Sequence, residues 1–348
     1  MNANFPCRLI LLFTLLIGLS PVRAQYALIP DTSFRQALVR LGYGSCFDQS
    51  KTRLDTTCAK VLAADTMDVA TSAIFDLSGI RYFKHLKYLN CYHNPFTFLP
   101  QLPDSLTYLT CYDGLVASMP RLPATLQYLN IGDNHITSLP GLPTGLKYLS
   151  CESNELDSLP VLPASLTYLT CNSNHLTRLP TLPAGLSYLD CCKNEIAAIP
   201  TLPATLQRLY CQANKLKSLP ALPRHMTYLF CDHNEITVLP ALPDSLQRLY
   251  CFSNALRTLP ALPESLTWLD CSYNQLQSVP ALPDSLYKFD CGNNAGLKTL
   301  PVMKAVLYFD FQSTAISCLP NYPIDNVSSR PALSVVPVCG ASPVFLRK

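Results

Sequence analysis

From Leu86 onward the apolar positions of this chain return every 20 residues. The turn that opens at Leu146 shows the pattern: Leu146, Leu149, Cys151, Asn154, Leu156, Leu159-Pro160, Leu162-Pro163, then Leu166. Twelve such turns run from Leu86 to the one beginning at Val306. Around Leu149 and Cys151 apolar and variable residues alternate, which predicts a short strand with both side chains on one face. Strands from successive turns should stack in parallel about 4.8 Å apart, so that twelve make a sheet roughly 55 Å long. Ten turns carry cysteine at the inward station, with Ile131 and Phe311 in the other two. An asparagine follows in ten turns, missing only at Gly114 and Thr314, where a buried amide can bond the backbone of neighbouring turns. Proline closes every turn from Pro100 to Pro320. With no N–H and a fixed φ, it predicts an extended, polyproline-like return path and not a helix.

The ends depart from this period. A less regular turn over 63–85 places Val69, Ile74, Leu77, Ile80 and Phe83 at its apolar positions. Before it, residues 25–62 predict a helical cap: Asp31 or Thr32 can cap the helix, Phe34, Ala37, Leu38 and Leu41 have helical spacing, and Gly42 stops it. Residues 1–24 read as an export signal: Arg8, an apolar run of 11 residues from Leu9 to Leu19, then Val22-Arg23-Ala24 as a cleavage site before Gln25. The regular array spans 86–323, and 324–348 is expected to be a C-terminal cap and tail.

Composition narrows the chemistry. A net charge of +3 over 14% charged residues argues against a nucleic-acid binder, which needs a dense basic face. Thirty prolines against 12 glycines fit prolines at fixed stations of a repeat. Of the 16 cysteines, the ten at the inward station sit between leucines with no histidine or carboxylate beside them, so they read as small hydrophobes and not as metal ligands. Cys192, one residue after the inward Cys191, is expected to face solvent. The six histidines form no metal-spaced pair and no triad, and the repeated Asp-Ser-Leu, as at Asp284-Ser285-Leu286, is a turn element. No catalytic residue, metal site or cofactor is therefore expected.

These stations resemble the LPX class of bacterial leucine-rich repeats, and secreted bacterial repeat proteins with a Leu-x-Tyr-Leu-x-Cys-x-x-Asn strand. The resemblance covers about residues 60 to 323 and implies a leucine-rich-repeat solenoid: a parallel β-sheet on the concave face, an extended convex side and a short helical N-terminal cap. Ile29-Pro30-Asp31 with Phe34 resembles the cap of the second group. LPX effectors that are ubiquitin ligases carry a large C-terminal catalytic domain; 28 residues follow Pro320, so that activity is not expected. Solenoid ends need covers, and disulfides Cys46–Cys58 and Cys318–Cys339 are expected to staple them.

Outward strand positions carry the informative variation. The residue before the second leucine is tyrosine in the first six turns, from Tyr88 to Tyr188, then Arg208, Tyr228, Arg248, Trp268, Lys288 and Tyr308. The six tyrosines are expected to stack as part of the repeat. In turns seven to nine the next outward station changes to Tyr210, Phe230 and Tyr250, with Asp270 in turn ten. Arg208, Tyr210, Tyr228, Phe230, Arg248, Tyr250, Phe252, Trp268 and Tyr273 should form one patch with the composition of a binding hot spot. The expected function is non-enzymatic recognition of a protein or peptide on the concave face, outside the cell, at its surface or in a periplasm. Carbohydrate binding and self-assembly through the aromatic face are the alternatives. No transmembrane segment is expected after signal cleavage.

Overall fold

The computed structural model describes residues 25–304, 306–321, 328–332 and 336–339. The expected export segment and most of the expected C-terminal tail lie outside the described residues.

The chain opens with a cap. β1 (Tyr26–Leu28) pairs antiparallel with β2 (Arg53–Asp55), and α1 (Thr32–Leu38) lies between them in sequence. Of the two candidate caps Asp31 is used: its Oδ1 accepts from Phe34 N at 2.7 Å, while Oδ2 accepts from Phe75 N at 2.9 Å and ties the helix to the entry turn. Phe34, Ala37 and Leu38 face the core; the chain then turns through Gly42 at φ 90°. Leu41, expected on the apolar face, lies beyond the helix and is exposed, because the turn toward Gly42 lifts it off the cap. Cys46 and Cys58 form a disulfide with Cα atoms 5.6 Å apart, just before α2 (Ala59–Ala63).

Among the described residues, fourteen three-residue strands then form one parallel sheet in strict chain order. They are β3 (Thr66–Asp68), β4 (Tyr88–Asn90), β5 (Tyr108–Thr110), β6 (Tyr128–Asn130), β7 (Tyr148–Ser150), β8 (Tyr168–Thr170) and β9 (Tyr188–Asp190). β10 (Arg208–Tyr210), β11 (Tyr228–Phe230), β12 (Arg248–Tyr250), β13 (Trp268–Asp270), β14 (Lys288–Asp290), β15 (Tyr308–Asp310) and β16 (Ser328–Arg330) complete it. From β4 to β16 the register offset is 20 residues, so each station of one turn stands beside the same station of the next. β3 comes from the irregular entry turn. β16 comes from residues expected as tail; pairing it to β15 satisfies N–H and C=O groups that would otherwise form an open edge. A second disulfide, Cys318–Cys339, closes this end with Cα atoms 5.0 Å apart.

The inward stations are buried as the pattern requires, Leu146, Leu149, Cys151 and Leu156 completely. Asn174 shows how the polar station is satisfied inside this core. Its Oδ1 accepts from Leu156 N in the preceding turn at 3.0 Å, and its Nδ2 donates to the carbonyls of Cys151, Cys171 and Asn172 at 3.0–3.1 Å. Every donor and acceptor of the amide is used, which removes the penalty for burying it.

In all twelve turns the residue just before the asparagine station is left-handed, with φ between 48° and 56°, and none is glycine. Lys193, Ala213 and Tyr273 are among them. The conformation costs each roughly 1 kcal/mol, offset in ten turns by the bonds that the following asparagine makes; Asp113 and Ser313 adopt it before Gly114 and Thr314. On the return side Ser285 Oγ donates to the carbonyls of Glu264 and Leu266 in the preceding turn, at 2.5 and 2.9 Å. This is the turn role read for Asp-Ser-Leu.

Candidate binding face on the sheet

The outward column of the first six turns is a stack of rings. From Tyr88 to Tyr188 successive centroids are 4.1–4.5 Å apart and the planes differ by 8–18°. In-register parallel strands set this spacing, and the rings bury one another's faces. Burial pushes the hydroxyls of Tyr108 and Tyr188 up to about 12.

At turn seven the stack changes column. Arg208 takes the tyrosine station, and the run continues from Tyr188 to Tyr210 on the neighbouring station, 5.4 Å away and tilted by 38°. Phe230 meets Tyr210 edge-on at 4.8 Å, Tyr250 follows at 4.3 Å, and Trp268 returns the run to its first column at 5.6 Å. Beside it, cations alternate with rings. Arg208 and Arg248 lie over Tyr228 at 5.1 and 5.4 Å, and Arg248 and Lys288 over Trp268 at 5.7 and 4.2 Å. Trp268 Nε1 is buried with no hydrogen-bond partner among the described residues, so stacking and these cations hold the ring.

Seven of the nine sequence-predicted residues are thus joined by direct ring or cation contacts. Phe252 packs edge-on against His233 at 4.9 Å, a neighbour the sequence reading did not include. Tyr273 is exposed on its left-handed turn and makes no ring contact among the described residues.

The expectation for Cys192 is corrected: its side chain is buried, only 8% exposed. It faces the outer side of the sheet, but a short side chain between the stations of Asn172 and Gln212 is shaded by its longer neighbours. Burial pushes its thiol up to about 12. The ladder cysteines are buried and unpaired, with thiols held above their ordinary value by burial, as for Cys171 and Cys211.

A row of acids next to the patch was also missed. Asp270, Asp290 and Asp310 occupy one station in three successive turns. Each uses Oδ1 to accept the N–H two residues on, from Ser272, Gly292 and Gln312, at 3.0–3.2 Å. Burial, reinforced by Asp270 and Asp310, raises Asp290 to about 6. The internal alignment holds the signal: the column of Tyr210, Phe230 and Tyr250 reads Asp190 before them and Asp270, Asp290 and Asp310 after them. No group of acids, histidines and cysteines among the described residues could hold a metal ion. A cavity of about 330 Å³ lined by Arg81, Tyr82 and Gln101 lies near the N-terminal cap, away from this face.

No protein-family model and no curated protein matches the chain. Solved structures do. The functional domain of InlJ from Listeria monocytogenes, described as including a cysteine ladder, superposes with a TM-score of 0.73 at 25% identity, covering 88% of this chain and 70% of that one. The fold is a leucine-rich-repeat solenoid. YopM from Yersinia enterocolitica is 36% identical with a TM-score of 0.56 over 68% of this chain. This chain spans about half the length of that protein, 55%. A leucine-rich-repeat protein of Leptospira interrogans is similar at 26% identity and TM-score 0.55, covering 68% of this chain and 69% of that one. These three structural neighbours are bacterial leucine-rich-repeat proteins. Among the described residues no helix is long and apolar enough to cross a membrane.

Proposed function

We propose that this leucine-rich-repeat chain is a non-enzymatic recognition scaffold that binds a protein or peptide across the concave sheet of turns seven to ten. One observation carries the reading: the regular tyrosine stack gives way there to exposed arginines interleaved with aromatic rings. Rings held rigid by stacking bind at little entropic cost, and arginine with tyrosine and tryptophan is the composition of interface hot spots. Two disulfides and likeness to InlJ support export to an oxidising compartment, with the signal ending near Ala24. The 20-residue repeat with its closing prolines supports placement in the LPX class.

The test is a paired substitution. Tyr228→Ala with Trp268→Ala should abolish capture of the partner retained by the wild-type chain, with the circular dichroism spectrum unchanged. Unaltered capture by the folded double variant would refute the patch. A glycan array probed with the same two proteins separates peptide from carbohydrate recognition.

A further inference from the structure

Arg208 and Arg248 stand on the strands either side of Tyr228. Both are exposed, and both are held over that ring, at 5.1 and 5.4 Å. Among the described residues neither enters an ion pair. A guanidinium that stacks on a ring keeps its in-plane N–H groups free, in the fork that matches a carboxylate. Two such forks therefore flank one tyrosine, and no ion pair among the described residues satisfies them.

The neighbouring station on the same three strands is apolar, with Tyr210, Phe230 and Tyr250 in mutual contact. Further along, that station becomes Asp270, Asp290 and Asp310, with Lys288 and Arg330 as the strand cations beside the row among the described residues, while the turn before Tyr210 carries a single acid there, Asp190. The face thus changes sign along the solenoid axis. A polyanion lying along it would bring negative charge onto the aspartates, whereas an isolated carboxylate over turns seven to nine would not.

We infer that the ligand is an extended peptide with one acidic side chain seated between Arg208 and Arg248 over Tyr228. Apolar side chains next to it rest on Tyr210, Phe230 and Tyr250, and the continuation over turns ten to twelve carries no second acid. This rests on the peptide-binding reading above and narrows it. Strands are about 4.8 Å apart and an extended chain advances about 3.3 Å per residue, so Tyr228 and Asp290 are separated by about four peptide residues. The spacing makes a specific demand: an acid is selected at one position and excluded about four residues to one side of it.

A random 12-residue peptide library displayed on phage, selected on the immobilised full chain, tests this. Enriched peptides should share one Asp or Glu beside apolar residues, with no acid about four residues away on one side. For a synthetic amidated peptide of the enriched sequence, changing the acid to its amide should weaken binding about tenfold or more. The Arg208→Glu/Arg248→Glu variant, checked for fold by circular dichroism, should lose that peptide by a similar factor and select lysine- or arginine-bearing ones instead. Enriched peptides with no acidic preference, or bound equally by the folded charge-reversed variant, overturn the inference and leave the peptide-binding reading standing. No enrichment on the wild-type chain overturns both.

Discussion

The two halves of the sheet share a backbone and a core, yet their outer faces are built differently. Turns one to six present one column of tyrosines stacked nearly parallel, each ring spending its faces on its neighbours. In turns seven to nine the rings meet edge-on or tilted, and arginines stand beside them. The strand register is the same throughout, so the difference owes nothing to the fold. It arises wholly from side chains at stations that the core does not constrain. A stack that satisfies itself contributes to stability, whereas a patch whose guanidiniums enter no ion pair among the described residues leaves bonding capacity for something else.

If the halves share one scaffold, damage to the asparagine ladder should hurt them alike. Asn174→Ala and Asn254→Ala each strand backbone groups of two turns, including Leu156 N or Ile236 N. Each should cost about 3 kcal/mol in chemical denaturation. A loss under about 1 kcal/mol at either position would mean that water or relaxation replaces the amide there.

Outward substitutions should separate the halves. Tyr148→Ala removes stacking against both Tyr128 and Tyr168 and should cost about 1–2 kcal/mol without affecting ligand capture. Tyr228→Ala, whose ring is met by the two arginines and by no other ring among the described residues, should cost about 1 kcal/mol or less and weaken capture. Equal effects of both on capture, measured beside denaturation curves, would erase the distinction between a structural and a binding half.

The smallest effect concerns the acid row, which the first half lacks. Asp290 in the folded chain titrates at about 6, above its ordinary 3.8, chiefly through burial and then through Asp270 and Asp310. A raised folded value means the native state holds the proton more tightly than the unfolded chain. Its stabilising contribution is complete below about pH 4 and is lost as pH rises through about 6. Asp290→Asn should therefore raise the melting temperature by a few degrees at most at pH 7, with the gain shrinking toward pH 4. A variant that melts lower than wild type at pH 7 would contradict a desolvated, mutually repelling row.

Much of this was legible because the chain supplies its own alignment. The inward Leu149 and Cys151, the polar Asn154 and the closing Pro160 are fixed by spacing within a single turn, and the structure places them as read. Cys192 was misjudged because alternation tells which face a residue is on, not how deeply flanking turns shade it. The left-handed residues were not legible because their identities, from His93 to Ser313, carry no glycine signal; the demand comes from the backbone turn that leaves each strand, which recurs even where Gly114 or Thr314 replaces the asparagine. β16 was missed because Ser328–Arg330 has no apolar pattern, only an open strand edge to pair with.

By itself the sequence determined the solenoid, its period, its core and the turns where the outward pattern breaks, since each can be read by aligning one turn on the next. The tertiary structure decided which outward groups meet. It moved the ring run from the column of Tyr188 to that of Tyr210, set two arginines on Tyr228, and gathered three aspartates into one row. Those contacts join residues 20 or more apart in the chain but one strand apart in space, and only the stacking of turns in register brings them together.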